Sequence, residues 1–416
     1  MSANGRSVPR RTFLGGAGAV GLGAVATACG SGGGKDISQW YHEYGEKGTE
    51  DAAKKFAKAY KKHTVKVNWV IGGDQYGTKL STGLLGNKGP DAFEDQLTAQ
   101  MVKANQVVDL TDLLAGARSD FHPADLALGT VNGKLYGIPM IQDMQMLYYR
   151  KSLLAKAGLK PPATPDELFN AAKTLSQGGM KGLYLGSKSG ADILGGPALW
   201  PAGPTYVTPE HKIGFDSPRA AAGLDKLRGI GKEKWLLTGY ATDWSDPSAF
   251  IKGATAMQWT GLWNMKLITD KWGDDVGVAP YPALDAKGKP VVPIGDWLAM
   301  ISTKSKKIDE TKAFLKWLWV DQKQYQQEWA LDFGFHLPVR ESIAAKATQL
   351  QKGAAKDAVG LSRRYANAAS PVDWTAKMST AYTDAVSNII LKGSDPASEL
   401  KNVTTVVKQE LQSLYG

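Results

Sequence analysis

The chain has 416 residues, with 50 Lys and Arg against 40 Asp and Glu, a formal charge of +10 and one cysteine. A single cysteine excludes a disulfide framework and all-cysteine metal sites. The lysines are scattered, as in Lys54-Lys55 and Lys61-Lys62, without the clustered basic stripe of a nucleic-acid binder, so no nucleic-acid partner is expected.

The first 28 residues read as an export leader. Pro9-Arg10-Arg11-Thr12-Phe13-Leu14 places twin arginines before an apolar stretch, the pattern of a Tat signal, with Pro9 where Ser or Thr is more usual. Phe13 to Ala28 is mostly small and apolar, and at sixteen residues it is shorter than the roughly 20 that a membrane-spanning helix needs. It ends in Ala26-Thr27-Ala28-Cys29, which resembles a lipobox. Cys29 is thus expected to be diacylated, holding the mature protein to the extracytoplasmic face of a bacterial cell membrane, with residues 29–35 as a glycine-rich tether. Gly16-Ala17-Gly18-Ala19-Val20-Gly21 satisfies G-x-G-x-x-G, but no strand precedes it inside the leader, so it is not a dinucleotide site. Removing the leader takes away Arg6, Arg10 and Arg11, and the charge falls from +10 to +7. The remainder exceeds what one hydrophobic core usually organises, and two lobes are expected.

Asp36 to Tyr41 predicts a first strand, and Thr49 opens a helix with Ala52, Phe56, Ala59 and Tyr60 on one face. Val65, Val67, Trp69 and Ile71 alternate with Lys66, Asn68 and Val70, a second strand, and Gly72-Gly73-Asp74 turns into another helix. Gly89-Pro90-Asp91 feeds a short strand over Ala92 to Asp95, followed by a helix over Gln96 to Gln106. Such alternation implies an α/β fold with a parallel sheet, whose ligands bind outside the carboxyl ends of the strands. The loops of interest therefore carry Glu43, Asp74 and Glu94. Farther on, Phe314, Trp317 and Leu318 share one face of a helix begun by Asp309 and are expected in the core.

Gly133-Lys134-Leu135-Tyr136-Gly137-Ile138-Pro139, followed by Leu147-Tyr148-Tyr149-Arg150-Lys151, resembles the G-K-x-Y-G-I-P and Y-Y-N-K segments of family 1 extracellular solute-binding proteins, the group that includes maltose-binding protein. Arg150 stands where Asn is common. Further matches follow in order: Lys156-Ala157-Gly158-Leu159 with Pro161 to Leu168, Ala254 to Trp263 as A-A-M-x-x-x-G-x-W, Gly295 to Ser302, and Gly334 to Arg340 as a G-x-x-P-x-R turn. The resemblance implies a two-lobe periplasmic-binding-protein-like fold with discontinuous lobes and a hinge. Its lobes would be 36–141 plus 283–335 and 142–282 plus 336–416, with crossings near Ile141 to Met144, Ala279 to Pro282 and Phe335 to Pro338.

The function implied is capture of a sugar, an oligosaccharide by the aromatic content, by a monomeric lipoprotein that delivers it to the membrane subunits of an ABC importer. A sugar has apolar C–H faces and a ring of hydroxyls, so its site needs flat aromatic surface and planar polar groups. Aromatic contacts of about 0.5 to 1.5 kcal/mol and charged hydrogen bonds of roughly 1.5 to 3 reach the about 8 kcal/mol of a micromolar site with few residues. The candidates are Asp143 and Gln142 at the first crossing, Trp263 of the G-x-W segment with Trp259 four residues before it, and Asp296 with Trp297. Glu43, Asp74 and Glu94 join them from the first lobe, Trp200 and Trp374 from the second, and His336 from the third crossing.

Each candidate also has a plain structural alternative: a solvated hinge for Asp143, core packing for the tryptophans, a turn-stabilising role for His336. A surface-anchored glycoside hydrolase is the competing function, with Asp143 and Glu94 as an acid and base pair about 5 to 9.5 Å apart. A solute-binding protein for a non-sugar ligand is the third. No H-E-x-x-H, G-x-S-x-G or P-loop string occurs, and His42, His63, His122, His211 and His336 show no metal-ligand spacing, so no enzyme activity, metal or cofactor is expected.

Overall fold

The alternating segments between residues 36 and 95 form strands, and the helices that connect them bring those strands parallel. The computed structural model describes residues 36–71 and 73–416. The leader, Cys29 and the tether lie outside the described residues, as does the side chain of Asp74. No described helix is long and apolar enough to cross a membrane.

In chain order the strands are β1 Ile37–His42, β2 Val65–Val70, β3 Ala92–Asp95, β4 Thr130–Val131, β5 Lys134–Leu135 and β6 Ile138–Arg150. They continue with β7 Lys181–Tyr184, β8 Leu236–Leu237, β9 Thr255–Gly261, β10 Val276–Ala279, β11 Val292–Ile301 and β12 Ala366–Ala368. β1 pairs in parallel with β2 and with β3. Between them the helix Thr49–Ala59 buries Ala52 and Phe56, and Glu50 and Asp51 in its first turn face its positive end. The helix expected over Gln96 to Gln106 is shorter, Ala99–Lys103, because the Thr98 side chain accepts a hydrogen bond from the Met101 amide and caps it there.

The sheet runs β2-β1-β3-β11-β6-β9-β7-β8, with β10 also on β6 and β12 on β11. β6 belongs to both halves. Its first part pairs antiparallel with β11, from Ile138 opposite Ala299 to Met144 opposite Ile294. Its second part, from Gln145, pairs with β9 and β10. Beside Gln142 the returning chain adds a third segment, since Gln142 and Leu337 exchange both backbone hydrogen bonds at 3.0 and 3.1 Å. The chain leaving β10 pairs Tyr281 with Val291 before it enters β11. It therefore runs alongside Asp143 at Gly295, some residues beyond the proline-rich Ala279 to Pro282 segment expected to cross there.

Two large hydrophobic clusters are built partly from the strands of this sheet. One gathers Ile37, Phe56, Tyr148, Phe314 and Trp329, the other Leu183, Phe215, Trp259, Met378 and Tyr382. Phe314 and Leu318 are fully buried as expected, while Trp317 is half-buried against Tyr60 and Tyr325. The helix Gly353–Tyr365 packs Ala354, Ala358 and Leu361 into the first cluster, apart from the last two helices. Those helices, Ala376–Ser387 and Pro396–Tyr415, sit in the second, with Leu400, Val403, Val407 and Leu411 forming one apolar stripe.

Candidate ligand-binding site

Successive residues of a strand face opposite sides of its sheet, and this separates the candidates at the crossing. On β6, Asp143 and Gln145 are half-buried, while Gln142, Met144 and Met146 are buried. On β11, Gly295 and Trp297 are half-buried, while Ile294, Asp296 and Leu298 are buried. The register sets Gly295 opposite Asp143 and Asp296 opposite Gln142. One face therefore carries Asp143, Gln145, Gly295 and Trp297 toward open space, and the other turns Gln142 and Asp296 into the interior.

Gln142 is occupied there: its Nε2 donates to Asp125 Oδ1 and its Oε1 accepts from the Ser362 hydroxyl at 2.5 Å. Asp296 is 2 % exposed, and neither carboxylate oxygen has a hydrogen-bond partner. Burial first, then the negative charges of Asp125 and Asp143, push its carboxyl well above the usual range. Gln142 and Asp296 were expected to meet a ligand, and the strand period places them away from the open face.

Asp143 Oδ1 lies 2.6 Å from His336 Nδ1, and His336 Nε2 lies 2.8 Å from Glu46 Oε1. Two acceptors, one on each ring nitrogen, require both nitrogens to be protonated. Burial works against that charge, but the carboxylates of Asp143 and Glu46 outweigh it and raise His336 to about 10. Burial likewise opposes the Glu46 charge, yet its hydrogen bond to His336 holds its carboxyl below the ordinary value. Gly334 makes room for this contact, since a Cβ there would come within 2.5 Å of Glu46 Cγ.

Trp297 stacks on His42 with ring centroids 3.8 Å apart. Beneath them Glu94 is 1 % exposed and closed off, accepting from the His42 amide at 2.9 Å and the Tyr44 hydroxyl at 2.6 Å. These bonds tie Glu94 to the loop after β1. Glu43 is exposed on the loop after β1.

Trp259 is 1 % exposed in the fully buried β9, edge-on to Tyr281 and donating to Gln145 Oε1 at 3.4 Å. It packs in the core. Trp263 is half-buried, donates Nε1–H to the Ser245 carbonyl at 3.0 Å and meets Trp244 edge to face at 5.8 Å. The glycine of the G-x-W segment has a steric reason: the Trp263 ring folds over Gly261, where a Cβ would sit 2.0 Å from the ring. Trp200 and Trp374 come together through Tyr206, which stacks on Trp374 at 4.4 Å and meets Trp200 edge to face at 5.3 Å.

These last rings wall a pocket of about 190 Å³, whose lining also includes Gln145, Asp192 and Trp244. Asp192, Tyr206, Trp244 and Gln145 escaped the sequence analysis. Gln145 had a usable signal, its position two residues beyond Asp143 on the same strand. Asp192, Tyr206 and Trp244 sit in irregular segments that give none.

The family model described as bacterial extracellular solute-binding protein matches residues 20–325. The chain belongs to the bacterial extracellular solute-binding protein family. An uncharacterized ABC transporter extracellular-binding protein of Pyrococcus horikoshii is 26% identical over 275 residues, covering 60% of this chain and 60% of that relative, so the chain spans less than two thirds of its length. The arabinooligosaccharide-binding protein of Bacillus subtilis is 23% identical over 312 residues, 70% of each chain. Among solved structures, the GacH receptor of Streptomyces glaucescens, described unliganded and with acarbose, superposes with a TM-score of 0.75 at 23% identity, covering 91% of this chain and 98% of that one. That superposition establishes the two-lobe solute-binding fold for this family member. Both halves joined at β6 are accounted for by it.

Proposed function

We propose that the protein binds a sugar, an oligosaccharide in particular, between its two lobes and passes it unaltered to the membrane subunits of an ABC importer. The observation that carries this is the open face of β6 and β11, where Asp143 and Gln145 lie beside Trp297 and lead to the half-buried Trp244. Fixed polar groups orient hydroxyls while flat rings cover C–H faces, the combination a sugar requires. The names of the Bacillus and Streptomyces relatives point the same way. Asp143, Trp263, Trp297, Trp200 and Trp374 would contact the ligand, with Glu43 at the rim and His336 orienting Asp143.

The lobes are proposed as 36–141 with 283–335 and 142–282 with 336–416, hinged where β6 meets β11. Ligand contacts to both would favour the closed form, and the importer would recognise that closure. Tat-type export and diacylation of Cys29 would hold the monomer at the extracytoplasmic face of the membrane.

Calorimetry of the mature protein with malto-, xylo- and arabino-oligosaccharides, paired with product analysis, tests the proposal. Saturable binding without new products supports it. Release of shorter sugars would instead favour a hydrolase, and silence from every sugar would favour a non-sugar solute.

A further inference from the structure

β1, β2 and β3 all begin at one edge of the sheet, where the antiparallel β11 ends: Ile37 lies opposite Val65, and Ala92 opposite Ile301. Lysines scattered along the sequence are gathered there by the fold. The turn before β2 brings Lys61 and Lys62 to this edge, the turn before β3 brings Lys88, and the turn after β11 brings Lys304 and Lys306. All five are exposed, and among the described residues none of them forms an ion pair.

The acids beside them are already engaged. Asp36 is held at 2.6 Å by Lys66, and its backbone carbonyl accepts from Lys307. Asp91 accepts from the Ser38 amide at 2.8 Å and from the Ser305 hydroxyl at 2.6 Å. Asp309 and Glu310 lie in the first turn of the helix Ile308–Lys316, against its positive end. The three turns thus carry positive charge that these acids leave unpaired. Leu85, the last residue of the helix Gly73–Leu85, is 73 % exposed three residues before Lys88, which adds an apolar side chain beside the cations.

This edge is also where the tether joins the fold, at Asp36. The seven residues from Cys29 to Lys35 reach at most about 25 Å, so a diacylated Cys29 would keep the edge within that distance of the lipid surface. Resting on the lipid anchor proposed above, we infer that this edge docks on anionic phospholipid headgroups, with its lysines against the phosphates and Leu85 in the interface. The acyl chains retain the protein, and the lysines orient it. Docking in this way turns the opposite end of β1, with the loop that carries Glu43, away from the bilayer.

Co-sedimentation of the mature protein carrying Cys29→Ser, which has no acyl chain, tests the surface by itself. It should pellet with mixed phosphatidylglycerol and phosphatidylcholine vesicles at about 0.1 M salt and stay in solution with phosphatidylcholine alone. Raising the salt to about 1 M, which shortens the screening length from about 10 Å to about 3 Å, should release it. Each lysine near an anionic surface contributes a factor of about five. Joint Lys61→Gln, Lys62→Gln, Lys304→Gln and Lys306→Gln should therefore weaken vesicle binding at least about tenfold. The matched set Lys156→Gln, Lys160→Gln, Lys173→Gln and Lys212→Gln, at exposed positions of the other half, should leave it within about twofold. Melting temperatures confirm that both variants fold. Equal binding to the two kinds of vesicle, or an equal loss in the two variants, would overturn the docking surface. Mass spectrometry of the membrane-extracted protein reads the anchor separately. An unmodified Cys29 would defeat the anchoring proposal, while the vesicle comparison, made without the acyl group, still decides the surface.

Discussion

His336 donates Nδ1–H to Asp143 Oδ1 across 2.6 Å, and so ties the returning chain to the open face of β6. The opposite nitrogen is held by Glu46 at 2.8 Å, which makes the imidazolium the centre of a buried charge triad. Its raised value of about 10, against 6.5 for an unperturbed histidine, fixes the sign of a pH effect. The stabilisation is fully present below about pH 6.5 and is lost as pH rises through about 10. Melting temperatures of the parent protein should fall over that window more steeply than those of His336→Gln. Replacement by Ala, leaving Asp143 and Glu46 without their cation, should cost roughly 3–5 kcal/mol in denaturant unfolding.

Asp296 makes the opposite kind of prediction. Its carboxyl is raised well above its unfolded value and has no hydrogen-bond partner, so its favourable contribution is complete only at acid pH. Stability should be lost as pH climbs from about 4 through the raised value. Asp296→Asn removes the titration and should unfold about 1–3 kcal/mol later than the parent protein at pH 8, with the gain vanishing near pH 4. An unchanged or lowered stability at pH 8 would contradict this account.

Trp259 and Trp263 lie four residues apart and should separate cleanly. Trp259→Ala, from the fully buried β9, should cost about 3–5 kcal/mol of stability. Trp263→Ala should leave the melting temperature within a few degrees and weaken the bound sugar up to about tenfold, the scale of one lost aromatic contact. Calorimetry and thermal melts on both variants check the split.

Gly261→Ala tests how Trp263 is positioned. The added methyl would meet the ring at 2.0 Å and must swing it away from its present bond to Ser245. Affinity should fall as in Trp263→Ala, and the tryptophan emission maximum should move even without ligand.

The fold was largely legible because its signals are local or carried by several ordered motifs. Val65, Val67 and Trp69 alternate in one short strand, and Thr49 opens a helix whose apolar spacing is complete within three turns. The site was less legible. Gln142 and Asp143 are adjacent polar residues, and only the register against β11 decides which meets solvent. Asp296 and Trp297 pose the same problem. Trp259 and Trp263 differ because one lies within a strand and the other beyond its end, a boundary that composition does not mark. The wall formed by Trp200, Tyr206 and Trp374 joins residues far apart in the chain, so no window of sequence contains it.

The two faces of β6 and β11 also bear on how such a protein can diverge. Positions 143, 145, 295 and 297 look outward, and 142, 144, 294 and 296 look inward. With the function proposed above, substitution at an outward position would alter what is recognised and spare the packing, while an inward one would alter robustness and spare recognition. Asp143 is the exception, because His336, itself held by Glu46, binds it into the scaffold. Drift toward a new solute would therefore begin at Gln145 or Trp297, with Asp143 changing only after its imidazolium partner has been replaced.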